Sequence, residues 1–126
     1  MKTLSIIETG YRATAEEQDD TIVWLNTMCR DAGLDLSVVL VAEAVNYGVR
    51  GHSPEVVELA GTAVATPPTM DEDLVALSDR DVDIFYVDDD RADLGISESA
   101  MIDAVKPIKR SELAALCSGF DQIWHW

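Results

Sequence analysis

Leu36-Ser37-Val38-Val39-Leu40-Val41-Ala42-Glu43-Ala44-Val45-Asn46-Tyr47-Gly48 is the stretch from which the fold is read. Its first half, Leu36 to Val41, is a β-branched run flanked by Gly33 and Glu43, the composition of a strand covered on both faces. Its second half, Ala42 to Tyr47, reads as a short helix closed by Gly48. Upstream, Thr3 to Glu8 is another short apolar run, and Glu8-Thr9-Gly10-Tyr11 follows it as a loop. Between the two strands, Ile22, Leu25, Met28 and Cys29 recur at helical spacing until Gly33, with Thr14 and Glu17 in a capping-box pattern ahead of them. Strand, helix, strand implies parallel pairing.

Downstream the alternation continues. Ser53-Pro54-Glu55 has the order that opens a helix, expected to run to about Ala60, and Gly61 to Met70 with Pro67-Pro68 reads as a loop. Asp71 to Leu77 is helical in pattern, and Val82 to Val87 is the third buried strand. Asp88 to Asp93 reads as an acidic loop that leads through Leu94-Gly95-Ile96 to a helix opening at Ser97. Pro107 cannot donate to a ladder, so a strand at Val105 to Ile108 is expected to be irregular or at an edge. Ser111 is expected to cap a helix containing Leu113 and Leu116 and ended by Gly119, with Gln122 to Trp126 as a terminal strand. The expected architecture is one α/β domain over residues 1–126, a three-layer flavodoxin-like open sheet of about five mostly parallel strands with helices on both faces.

Composition narrows the function. The 126 residues carry 24 acidic and nine basic side chains, a formal charge of -15 that repels phosphate backbones and anionic bilayers. Nucleic-acid and membrane partners are therefore not expected, and a solvated acidic surface is. The apolar stretch after Lys2 is too short for a signal peptide and no run approaches a membrane span, so a cytoplasmic protein is expected. Cys29 and Cys117 form no Cys-x-x-Cys pair and sit on apolar helical patterns, as buried small hydrophobes do. The seven glycines make neither a dinucleotide fingerprint nor a Walker loop. No cofactor and no metal are expected.

Right-handed crossovers bring the loops that follow the strands to one rim of such a sheet, where ligands bind. Three segments converge there: Glu8 to Tyr11, Ala42 to Asn46, and Asp88 to Asp93. A rim pocket built from Thr9, Tyr11, Glu43, Asn46, His52 and Asp88 is the candidate site. Asp88-Asp89-Asp90 is the most acidic feature at this rim, and with Glu8 it suggests an alternative, a metal-dependent hydrolase using Asp88 and Asp90. Consecutive side chains of an extended segment diverge, however, so one or two at most would share a cation. His125, Trp124 and Trp126 at the C-terminus, and Trp24, read as core or subunit contact.

The order of these pieces resembles the DsrE/DsrF-like sulfur-relay family over nearly the whole chain. The resemblance is carried by Thr9-Gly10-Tyr11 after the first strand, the helix closing at Gly33, the passage Val39 to Tyr47, Leu77 to Val87, the turn Leu94-Gly95-Ile96, and Ser111-Glu112-Leu113 followed by Phe120-Asp121-Gln122-Ile123. It implies a small flavodoxin-like subunit that assembles into homotrimers or homohexamers, with a further protein partner possible. It also implies persulfide transfer in those members that carry a cysteine just after the third strand. That position falls at Asp88 or Asp89, and no cysteine stands between Cys29 and Cys117. A carboxylate cannot carry sulfane sulfur, so the expectation is a divergent, non-catalytic binding or assembly subunit. A persulfide carrier acting through Cys29 or Cys117 is a second alternative.

Overall fold

The computed structural model describes residues 1–11, 20–52, 56, 58–63 and 68–126. Five parallel strands form its sheet: β1 (Lys2–Ile7), β2 (Asp35–Leu40), β5 (Asp83–Val87), β6 (Val105–Ile108) and β7 (Gln122–His125), in the spatial order β6-β5-β2-β1-β7. β2 lies in the middle, with Val38, Val39 and Leu40 fully buried, because a strand covered on both faces has no polar side to show. The expected three-layer α/β sheet is the one observed.

Two apolar layers flank this sheet. On one face, α1 (Thr21–Asp31), α2 (Met70–Ser78) and the 3-10 helix η1 (Ala42–Gly48) cover Ile7, Val38, Leu40 and Ile84. On the other, α4 (Leu113–Cys117) lays Leu113, Leu116 and Cys117 against Leu4, Val39, Val41 and Val87. Gly48 ends η1 where a side chain has little room: a Cβ there would stand 2.8 Å from the Met101 terminal methyl and 3.3 Å from Val105. The backbone bonds from Arg50 N to Ala100 O and from Ile102 N to Gly48 O, both 2.8 Å, then stitch the segments together.

Several expectations need correction. α1 begins at Thr21 and is capped by Asp20, whose Oδ1 accepts from the N–H groups of Ile22 and Val23; the Thr14–Glu17 box lies outside the described residues. The helix expected to reach Ala60 does not do so, its opening at residues 53–55 also lying outside the described residues. Instead β3 (Glu58–Leu59), in the expected helix, and β4 (Thr62–Ala63), in the expected loop, form an antiparallel hairpin, and Ala60 and Gly61 at its tip both have positive φ, as a two-residue hairpin turn requires. Asp88 to Asp93 is a helix, α3, and not a loop, whereas the helix expected at Ser97 is only the 3-10 turn η2 (Glu98–Ala100). Ser111 does not cap α4. It sits inside a third 3-10 turn, η3 (Arg110–Glu112), closed by the Glu112 carboxylate accepting from Lys109 N at 2.7 Å. β6, with Pro107, is an edge strand as expected.

Candidate functional site

The C-terminal ends of β1 and β2 turn into loops whose backbones take the left-handed conformation without glycine. Tyr11 has φ 60° and Ala42 has φ 48°. An aromatic residue rarely adopts this region, at a cost of roughly 1–3 kcal/mol, and surrounding bonds must hold it there. They are present. The Tyr11 N–H donates to the Tyr47 hydroxyl, the Tyr11 hydroxyl is hydrogen-bonded to His52 Nε2, and the Tyr11 and Tyr47 rings meet edge to face with centroids 5.3 Å apart.

The Tyr47 hydroxyl in turn donates to Asp20 Oδ2, a carboxylate with 0 % exposure. Asp20 thus serves twice, capping α1 through one oxygen and anchoring the tyrosine pair through the other. Burial pushes the Tyr47 phenol well above the ordinary tyrosine range, and the bond to the Asp20 carboxylate adds to this. The Tyr11 phenol is also raised, by burial first and then by the negative field of Glu43. Both are neutral donors at physiological pH. Glu43 Oε1 accepts from Gly10 N at 3.1 Å, and Asn46 Nδ2 donates to the Glu43 carbonyl at 2.9 Å, so the Gly10–Tyr11 loop is tied to η1 by both its residues.

Four of the expected rim residues, Tyr11, Glu43, Asn46 and His52, are therefore linked through η1. The other two are turned elsewhere. Thr9 is exposed and its N–H donates to the Trp126 carbonyl at 3.2 Å. Asp88 is engaged by Arg91 Nε at 2.6 Å, and that guanidinium holds its carboxyl below the usual range. Burial, with help from Asp88, raises the Tyr86 phenol beside it. Asp20 and Tyr47 were missed by the sequence reading. The signal for Asp20 was available, an Asp directly before the periodic residues Ile22 and Leu25, but the Thr14 pattern drew the cap upstream.

The acidic triplet disperses as consecutive residues do. Asp88 pairs with Arg91, Asp89 accepts from Arg110 N at 2.7 Å, and Asp90, only 7 % exposed, accepts from Ala42 N at 2.7 Å and pairs with the Arg110 guanidinium. Glu8 is 2.6 Å from His125 Nε2 at the end of β7. The carboxylates invoked for a hydrolase are thus each held by a different partner. Among the described residues no group of three His, Cys, Asp or Glu side chains is placed to hold a metal ion.

Neither thiol is fully buried; both are half-exposed, contrary to expectation. Cys29 lies eight residues along α1, about 12 Å from its rim end at the helical rise, and lines a cavity of about 400 Å³ with Leu25, Trp124, His125 and Trp126. Cys117 ends α4 at the opposite end of the sheet, just before β7. Trp24 is 52 % exposed and so is not core.

The chain shares its fold with the ychN protein of E. coli, whose crystal structure matches with a TM-score of 0.74 at 21% identity over 100% of both chains. A second similar structure is that of MTH1491 from Methanobacterium thermoautotrophicum, a protein of unknown function, with a TM-score of 0.63 at 13% identity over 98% of this chain and 97% of that one. No family model and no curated protein matches the sequence. Among the described residues, no helix is long and apolar enough to cross a membrane.

Proposed function

We propose that this chain is a divergent, non-catalytic DsrE/F-like subunit that self-associates and uses the rim around Tyr11, Glu43, Asn46 and His52 to bind a polar ligand or partner. The observation that carries the reading is the occupant of the position after β5. Where sulfur-relay members keep a cysteine, at Asp88 or Asp89, carboxylates stand, committed to Arg91 and to the Arg110 N–H, while Cys117 ends α4 at the other end of the sheet and Cys29 stands about 12 Å along α1 from its rim end. Persulfide transfer requires a thiolate that attacks one sulfur and later releases it, which a carboxylate cannot do.

The rim's own groups favour hydrogen bonding over covalent chemistry. The Tyr11 phenol, kept neutral and backed by the buried Tyr47, offers donors and acceptors together with the His52 imidazole and the Glu43 carboxylate, and the negative charge of Glu43 favours neutral or cationic ligands over anions. Thr9 and Asp88, engaged by Trp126 and Arg91, are not among these groups. The test is intact mass after incubation with a stoichiometric persulfide donor. The wild-type chain is expected to gain no sulfur atom; stoichiometric sulfane sulfur on Cys29 or Cys117 would overturn the reading in favour of a carrier.

A further inference from the structure

The two edges of the sheet are built differently. β6 presents Lys106 and Pro107, with Lys109 just beyond, and both a proline without an N–H and paired lysines discourage strand addition. β7 has no such guard. Gln122 to Trp126 contains no carboxylate, lysine, arginine or proline, in a chain of formal charge -15. No like-charged side chains of the strand itself would then stand opposite each other when two copies meet there, and the neighbouring Glu8 carboxylate is paired with His125.

The hydrogen-bond phase of β7 defines what fits against it. Trp126 N donates to Ile6 O and Trp126 O accepts from Glu8 N, so the backbone of Trp126 faces β1. By the two-residue period, Gln122 and Trp124 also face β1, and the N–H and C=O groups of Ile123 and His125 point outward from the sheet. We infer that β7 is a self-complementary edge that pairs antiparallel with β7 of a second copy about a two-fold axis centred on Trp124. In that register Ile123 lies opposite His125 of the second copy, and the outward groups of these two residues form four interchain hydrogen bonds. Trp124 meets its own copy in a non-hydrogen-bonded pair, the closer kind. A two-fold normal to the sheet keeps each side chain on its own face, so only registers centred on a residue are allowed; centring on Ile123 would enlist Asp121, whose N–H is already given to Lys2 O at 2.9 Å.

Side chains support the same occupant. Trp124 and Trp126 stack edge to face at 6.3 Å over the open cavity they share with Leu25 and Cys29 of α1, and Ile123, on the opposite face of the strand, is 43 % exposed. A second copy placed by this axis would bring a matching pair of indoles to the cavity mouth and cover this apolar surface. The inference rests on the self-association proposed above, but not on the rim.

An isologous joint of this kind makes the number of copies even. The test is particle mass by light scattering for the wild-type chain and for Ile123→Pro, with circular dichroism to follow folding. Proline at 123 removes only an outward donor, so the wild-type assembly is expected to be even-numbered and the variant's mass twofold lower with unchanged dichroism. With Cys29→Ser and Cys117→Ser in place, Trp124→Cys is expected to give a disulfide-linked dimer on mild oxidation, and Gln122→Cys, facing residue 126 of the second copy, is not. An odd-numbered wild-type assembly, or an even one unchanged in Ile123→Pro, overturns the strand pairing and leaves self-association standing. A monomeric wild type overturns both. Should Ile123→Pro unfold, the cross-link decides: a dimer from Trp124→Cys alone supports the pairing, and equal or absent cross-linking from the two cysteines overturns it.

Discussion

Asp20 and Asp90 are both carboxylates buried at the same rim, yet the described residues that hold them tie together different parts of the fold. Among the described residues Asp20 accepts from two backbone N–H groups and the Tyr47 hydroxyl, whereas Asp90 takes one N–H, from Ala42, and the guanidinium of Arg110. The first is a structural hub joining the start of α1 to η1 and, through Tyr47, to the Tyr11 loop. The second fastens α3 to the strained turn at Ala42 and to the turn after β6. A row of three aspartates draws the eye in the sequence, but the single Asp20, through its two roles, organises more of the rim. What matters is which donors the fold brings to a carboxylate, since burial without them is prohibitive.

The largest expected effect is therefore at Asp20. Asp20→Ala removes an N-cap and orphans the buried Tyr47 hydroxyl, which together cost about 2–4 kcal/mol, read as a lowered urea midpoint at unchanged slope. Asp90→Ala leaves the Ala42 N–H and Arg110 without their acceptor but Arg110 is largely solvated, so about 1–2 kcal/mol is expected in the same assay. Equal losses at the two sites would erase the distinction between them.

Alkaline titration sharpens it further. All three tyrosines, Tyr11, Tyr47 and Tyr86, have phenols raised by burial above their ordinary value of 10.0. A folded-state value above the unfolded one gives stability that is complete below pH 10 and is lost as pH rises beyond it. Phenolate absorbance of the folded chain should thus lag a denatured control, and Tyr47→Phe should flatten the alkaline loss of stability more than Tyr86→Phe. The smallest effect belongs to Asp88. Its carboxyl is depressed by Arg91, so its contribution is full above the unfolded value of 3.8 and disappears as pH falls through the lower folded value. Asp88→Asn should remove this acid limb and leave stability near neutral pH almost unchanged, because a partly exposed pair contributes little.

Much of the fold was legible because it rests on local pattern. The β-branched run Leu36 to Val41 reads as a doubly covered strand, and Pro107 limits its strand to an irregular or edge position, of which the edge is observed. What escaped was set by tertiary contact. Asp88 to Asp93 looks too polar for a helix, but three carboxylates in its first turn face the positive end of the backbone dipole, and Arg91 and Arg110 compensate the rest. The hairpin Glu58–Ala63 is two residues per strand, too short for any alternation to register. At the rim, Tyr11, Glu43 and His52 were foreseen from topology. Their link to Tyr47 and Asp20 was not, since Tyr47 meets a partner 27 positions away and carries no motif.

The account turns on the seat after β5 holding a carboxylate in place of a thiol, and restoring the thiol tests this most directly. Wild type and Asp89→Cys would be treated with the same persulfide donor and weighed intact. The account predicts no added sulfur on the wild-type chain and one added atom on the variant, mapped to the introduced side chain. Equal loading of the two proteins, with the sulfur on Cys29 or Cys117, would contradict it.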